Sequence, residues 1–181
     1  MKTSVSVLAI VLAVVLQAAV LNRIPLPGGA APDLVVLAVT AVALYVTRIA
    51  GAVTGFAAGL AMDVLPPADH EIGRGALVLC LAGYLIAANR ASQKREGLHP
   101  YATAAIATLG TALLYAFIGV VLGDPRITFG GVVVGTSLTL LLTMVISPLV
   151  LGPLGALLRR ASSDPYAEFA TPPWTTGGVG R

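Results

Sequence analysis

Asp63 is the acid whose setting asks for chemistry. It closes an apolar stretch in which Gly51, Gly55 and Gly59 recur every four residues, and Pro66 and Pro67 follow it. An aspartate at a bilayer centre costs about 2.5–3.5 kcal/mol on insertion scales, so this one should face protein, a water-filled cavity or the interface rather than lipid. At about 100° per residue, positions 51, 55, 59 and 63 form one slowly drifting stripe. A close-packing face, next to Phe56, therefore leads to the acid. Near a helix C-terminus a carboxylate meets the negative end of the dipole, so Asp63 needs Arg74, Arg23 or the amides of a following helix as partner. A buried or semi-buried structural pair is favoured over a partner-binding contact, and both over proton or ion chemistry. Asp33, which follows Pro32 and opens the second apolar segment, reads as an N-cap.

Other candidate chemistry is thin. The triplet Asp69, His70 and Glu71 lacks a second ligand cluster, and adjacent loop residues rarely converge on one ion, so a solvated loop is expected. No histidine lies within an apolar helix to serve Ser137 or Ser147 as a base. No phosphate-cradling loop precedes a lysine, and no second intramembrane acid accompanies Asp63. Enzyme is the least supported class, and neither metal nor cofactor is expected. Cys80, alone in an apolar helix, reads as a small buried hydrophobe.

The elements that must position these residues belong to a membrane protein. Of 181 residues 57% are hydrophobic and 10% charged, with a mean hydropathy of +0.92, too little polar surface for a soluble domain. Residues 5–21, 75–88, 101–122 and 132–158 are charge-free or nearly so, at lengths that cross or nearly cross a core of about 30 Å. The shorter runs 34–47 and 51–65 meet at Arg48. Fused into one helix they would measure roughly 48 Å, so a turn at Arg48 is expected. The fold class is thus all-α, polytopic, with six transmembrane helices. The runs are too long, and lack the alternation, for a membrane barrel.

Lys2, Arg48, Arg90, Lys94, Arg95, Arg159 and Arg160 then fall on one side and Arg23, Arg74 and Arg126 on the other, which places both termini in the cytoplasm. Arg23, Asp33, Asp63 and Arg74 form a polar outer-side cluster. The first segment reads as a retained helix rather than a signal peptide, since no convincing cleavage site lies near Ala19. The excess of basic residues suits anionic lipid headgroups, with no aromatic interleaving to suggest nucleic acid. The transmembrane domain is assigned to residues 1–158, and residues 159–181, rich in Pro and Gly, to a disordered cytoplasmic tail.

Small residues recur at four-residue spacing on other helices too: Gly131, Gly135, Thr139, Thr143 and Ser147 on the last, Thr103, Ala107, Thr111, Tyr115 and Gly119 on the fifth. Because lipid solvates apolar surface as well as a helix does, such faces drive association by close packing, first within the bundle and then with a partner. Pro148 and Pro153 predict a kink or break near Ser147, with the membrane helix ending there and an interfacial segment beginning.

Pro32-Asp33-Leu34, then Gly55-Phe56 with Gly59-Leu60 and Asp63, then Gly73, Ala76-Leu77 and Gly83-Tyr84, resemble the core of the MreD family of bacterial rod-shape membrane proteins. The motif covers roughly residues 30–90; the 66–71 loop and the Pro-rich tail depart from it. The resemblance implies a non-enzymatic scaffold in the bacterial inner membrane. It would bind the single-span protein MreC and help couple the MreB filament to RodA and a penicillin-binding transpeptidase during peptidoglycan synthesis. MreD proteins also resemble the six-helix substrate-binding subunits of vitamin transporters. That alternative expects a roomy polar cavity near Asp63 and a docking face on the first helix, where Ala9, Ala13 and Gln17 decide nothing. The scaffold expects Asp63 occupied and the pocket filled. Gly59→Leu should disrupt complex assembly by overfilling a helix contact, whereas Cys80→Ala should be nearly silent, as judged by partner recovery and cell shape.

Overall fold

The computed structural model describes residues 2–23, 30–65, 72–89, 98–124 and 128–162. These form six α-helices: α1 (Lys2–Ala19), α2 (Leu34–Ala43), α3 (Arg48–Val64), α4 (Arg74–Ala88), α5 (His99–Leu122) and α6 (Phe129–Ser162), with a 3-10 turn at Leu21–Arg23 and, among the described residues, no strand. The 66–71 loop with its Asp-His-Glu triplet, the Arg90, Lys94 and Arg95 cluster, Arg126 and residues 163–181 lie outside the described residues. Three helices, α1, α5 and α6, are long and apolar enough to cross a membrane; α2 and α4 are shorter and apolar.

Two boundaries differ from expectation. The break between the short runs falls at residues 44–47, and Arg48 opens α3 because the Thr47 side chain caps that helix by accepting from the Ala50 amide at 3.3 Å. The last helix does not stop at its prolines but runs for 34 residues through Pro148 and Pro153 to Ser162. The boundary drawn at Leu158 therefore lies inside α6, and residues 159–162 are helical rather than tail. Pro148 has no amide hydrogen to give the carbonyl of Met144 one turn back. The Ser147 hydroxyl donates to that carbonyl instead, at 2.8 Å.

The short α2 is the core of the bundle. Apolar on every side, it packs against all five other helices, and every residue from Val35 to Ala43 is buried. Its free N-terminal amides are tied down by three side chains. Asp33 caps its own helix by accepting from Val36 (2.8 Å), Gln17 of α1 accepts from the Leu34 amide (2.9 Å), and Thr143 of α6 accepts from the Asp33 amide (2.9 Å).

Helices α3 and α4 run antiparallel with their backbones in contact. A Cβ on Gly51 would meet the Gly83 carbonyl oxygen at 2.5 Å; one on Gly55 would strike the Leu79 carbonyl, and one on Gly59 the Gly75 carbonyl. The contact is reciprocal, since a Cβ on Gly83 would strike the Gly51 carbonyl. The small-residue faces of α5 and α6 also turn inward: Thr103, Ala107, Gly119, Thr143 and Ser147 are buried, Thr111, Tyr115, Gly135 and Thr139 half-buried, and only Gly131 exposed. Cys80 is half-buried rather than buried.

Because the obstruction at Gly55 is backbone, Gly55→Ala must part α3 from α4 and is expected to cost about 1–3 kcal/mol or more. Gly110→Ala, with open space around it, should stay within about 0.5 kcal/mol of wild type. Thermal unfolding of the detergent-purified chain compares the two.

Candidate functional site

Asp63 stands where the glycine stripe ends, 2% exposed. Across the corner, α4 begins at Gly73, which holds φ at 102°, a left-handed conformation that favours glycine, and which has no side chain with which to cap its own helix. Asp63 supplies the cap. Its Oδ2 accepts from the amides of Gly73 (2.9 Å) and Ala76 (3.0 Å), and its Oδ1 from that of Gly75 (3.1 Å). A carboxylate at the unfavourable end of α3 thereby becomes the anion at the favourable end of α4. Of the partners open to it from sequence, the amides of the following helix are engaged. Gly75 is part of the fit, because a Cβ there would strike Oδ1 of Asp63.

Arg74, one residue along, is buried and turned toward α5. Its Nε and Nη2 donate to the Tyr115 carbonyl (3.0 and 2.6 Å), its Nη1 pairs with Asp124 at 3.2 Å, and its guanidinium lies 3.8 Å from the centre of the Tyr115 ring. Desolvated charge is tolerable only with such full hydrogen bonding.

Asp33, Asp63, Arg74 and Asp124 line one cavity of about 580 Å³, together with Gln17, Asn22, Thr108, Thr111, Tyr115, Thr136 and Thr139. Of the four residues in the expected polar cluster, three are brought together. Arg23 is not among the lining; it sits exposed on the 3-10 turn, and its neighbour Asn22 reaches the cavity, accepting from Gln17 Nε2 at 2.9 Å. Gly51, Gly55 and Gly59 lie behind the site, buried against α4. Phe56 is on the opposite side of α3, 48% exposed. Gln17, Thr108 and Asp124 complete the cavity without having been singled out as site residues from sequence. Gln17 carried a signal as the lone amide in its apolar run, and Asp124 as an acid just past Gly123, which ends α5. Among the described residues no cluster of three histidine, cysteine or acidic side chains could hold a metal ion.

Asp63→Ala would strand three amides and is expected to cost about 3 kcal/mol, with Asp63→Asn, which keeps one acceptor oxygen, falling between it and wild type. Chemical or thermal unfolding in detergent measures the order.

The chain matches the family described as rod shape-determining protein MreD over residues 2–161. Comparison with curated proteins and with solved structures gave no match. The family match covers all six helices, the capped corner and the cavity, and it agrees with the three long apolar helices: the chain belongs to the MreD family of rod shape-determining membrane proteins.

Proposed function

We propose that the protein is a non-enzymatic scaffold of the bacterial elongation complex, a multi-pass protein of the inner membrane that binds an MreC-like single-span partner. Through that partner it would help couple the MreB cytoskeleton to peptidoglycan synthesis by RodA and a penicillin-binding transpeptidase. Family membership along residues 2–161 carries this reading. The fold supports it in one respect: the polar groups of Asp63 and Arg74 are committed to holding helices together, as a framework requires, rather than poised for turnover.

In the proposed topology all six helices contribute to crossing and both termini are cytoplasmic. Arg48, Arg159 and Arg160 support the orientation, and the Tyr45 hydroxyl, beside the turn that precedes Arg48, lies near Gly155 toward the basic end of α6. Helix α2, about 15 Å long, is too short to cross alone. Its non-helical flanks at 30–33 and 44–47 would complete the path, a route acceptable in a membrane only where protein surrounds the backbone. Ala30 and Leu44 are both buried.

The partner surface moves from the glycines to the face they leave outward. Ile49, Val53, Phe56, Leu60 and Val64 form an exposed apolar stripe on α3, whereas the glycines are occupied by α4. A second reading, the substrate-binding subunit of a small-molecule transporter, is favoured by one observation: the cavity beside Asp63 is open rather than filled, which the scaffold reading did not expect.

The test is a mild-detergent pulldown of the tagged chain from native membranes, comparing wild type with Phe56→Ala and identifying copurifying proteins by mass spectrometry. The scaffold reading expects an MreC-like protein with wild type and several-fold less with Phe56→Ala at equal expression and melting temperature. Transporter ATPases, or a bound small molecule without MreC, would replace it with the second reading.

A further inference from the structure

We propose that a groove between α1 and α3 receives one transmembrane helix of a partner, whose seated face is small and uncharged and carries a serine, threonine, asparagine or glutamine. The identity of that partner, the single-span protein, rests on the scaffold reading; the groove itself does not. It measures about 610 Å³, none of its lining residues is charged, and exposed Val7, Val11 and Val53 among them place it on the lipid-facing side of the bundle. Ala50, Thr54, Ala57 and Ala61 line it from α3 at intervals of four, three and four, which is one helix face, and Ser6 and Ile10 line it from α1. Small residues let helix backbones approach, and close packing is what holds helices together in lipid. Val53 also belongs to the outward stripe of α3, so groove and stripe adjoin.

Two further observations say what fills it. Ser6 is only 8% exposed and lines the groove, yet among the described residues its hydroxyl meets no hydrogen-bonding partner. Buried hydroxyls elsewhere in the bundle bond a carbonyl about one turn back, Thr103 that of His99 at 2.9 Å and Ser147 that of Met144 at 2.8 Å. The unpaired hydroxyls of Thr40 and Thr108 are sealed inside the protein; that of Ser6 is not. Buried polar groups are almost always paired, and an acyl chain offers no partner, whereas a polar side chain of a neighbouring helix does. Length gives the same answer. The lining runs from Val46 to Leu65, so the groove follows α3 for its whole length of about 25 Å. A lipid tail occupies one leaflet, about 15 Å of a core of about 30 Å, while a transmembrane helix crosses the full depth.

The full chain is tested in native membranes with a photocrosslinking residue at Ala57, which is exposed in the groove, or at Phe117 of α5, a helix that touches neither α1 nor α3. The Ala57 adduct is expected to map to the transmembrane segment of the MreC-like protein, on a stretch bearing a hydroxyl or amide side chain, and the Phe117 position to give no such adduct. In the mild-detergent pulldown, Ala57→Phe, which fills the groove, should lower partner recovery at least fivefold at unchanged melting temperature, with Phe117→Ala without effect. Ser6→Ala should lower it about threefold, the size of an average hydrogen bond between transmembrane helices, and Ser6→Thr should retain it. A partner that copurifies without crosslinking at Ala57, or whose recovery is undiminished by Ala57→Phe or Ser6→Ala, overturns the groove and leaves the scaffold reading standing. If wild type recovers no MreC-like protein, the scaffold reading fails by itself and the Ala57 adduct still decides the groove. A transmembrane peptide of another protein bearing such a side chain keeps it; a phospholipid adduct, or a crosslink between two copies of this chain, overturns it.

Discussion

The arrangement around Asp63 and Arg74 depends on two helix backbones touching. Inside a bilayer no water is released when apolar helices meet, so α3 and α4 hold together by close packing and by the polar contact that ends it. Gly51, Gly55 and Gly59 allow the approach, and Asp63 fixes its register, because a shift of one residue along α4 would pull the carboxylate from three amides at once. The placement of Arg74 follows. It is the first residue of the helix Asp63 caps, so the register that satisfies the acid also delivers the guanidinium to Tyr115 and Asp124. One contact thus joins three helices and builds one wall of the cavity.

The cavity itself is a consequence of length. The first amide at the start of α2 is bonded to Thr143, well inside α6, while the upper parts of α5 and α6 continue past it. Nothing from the described part of α2 fills the space above, so Asp33, Val35 and Val36 become its floor. The scaffold reading expected a filled pocket because it expected Asp63 to be occupied; the acid is occupied, by the amides of α4, and the void beside it remains.

What was legible in the sequence had a period. The glycine stripe, its leading to an acid, and the small faces of α5 and α6 are repeats of four and turn inward as such repeats do. The α3–α4 pairing was harder, because glycines at 75 and 83 with Leu79 between them show no uniform stripe, and the middle contact is made by a carbonyl. For Asp63 the amides of the following helix stood among three alternatives, and for Arg74 the Tyr115 carbonyl was not foreseen: amides and carbonyls belong to every residue, and only the fold says which are near. Helix ends suffered from reading a residue type without its neighbour. Arg48 suggested a turn, yet Thr47 caps the helix it begins; Pro148 suggested a stop, yet Ser147 covers the carbonyl the proline abandons.

The burial of α2 has a consequence for how the molecule is made. Its neighbours include both the first helix and the last, and the Thr143 hydroxyl that its starting amide donates to is synthesised 110 residues after Asp33. Until α6 emerges from the ribosome, α2 has an open flank and an unfulfilled amide, whereas the contact of α3 with α4, and the Asp63 cap that ends it, are made within one contiguous stretch of chain. Assembly therefore has an order written into the contacts: the glycine hairpin closes early, α2 stays incompletely enclosed through most of translation, and the arrival of the final segment seals the centre.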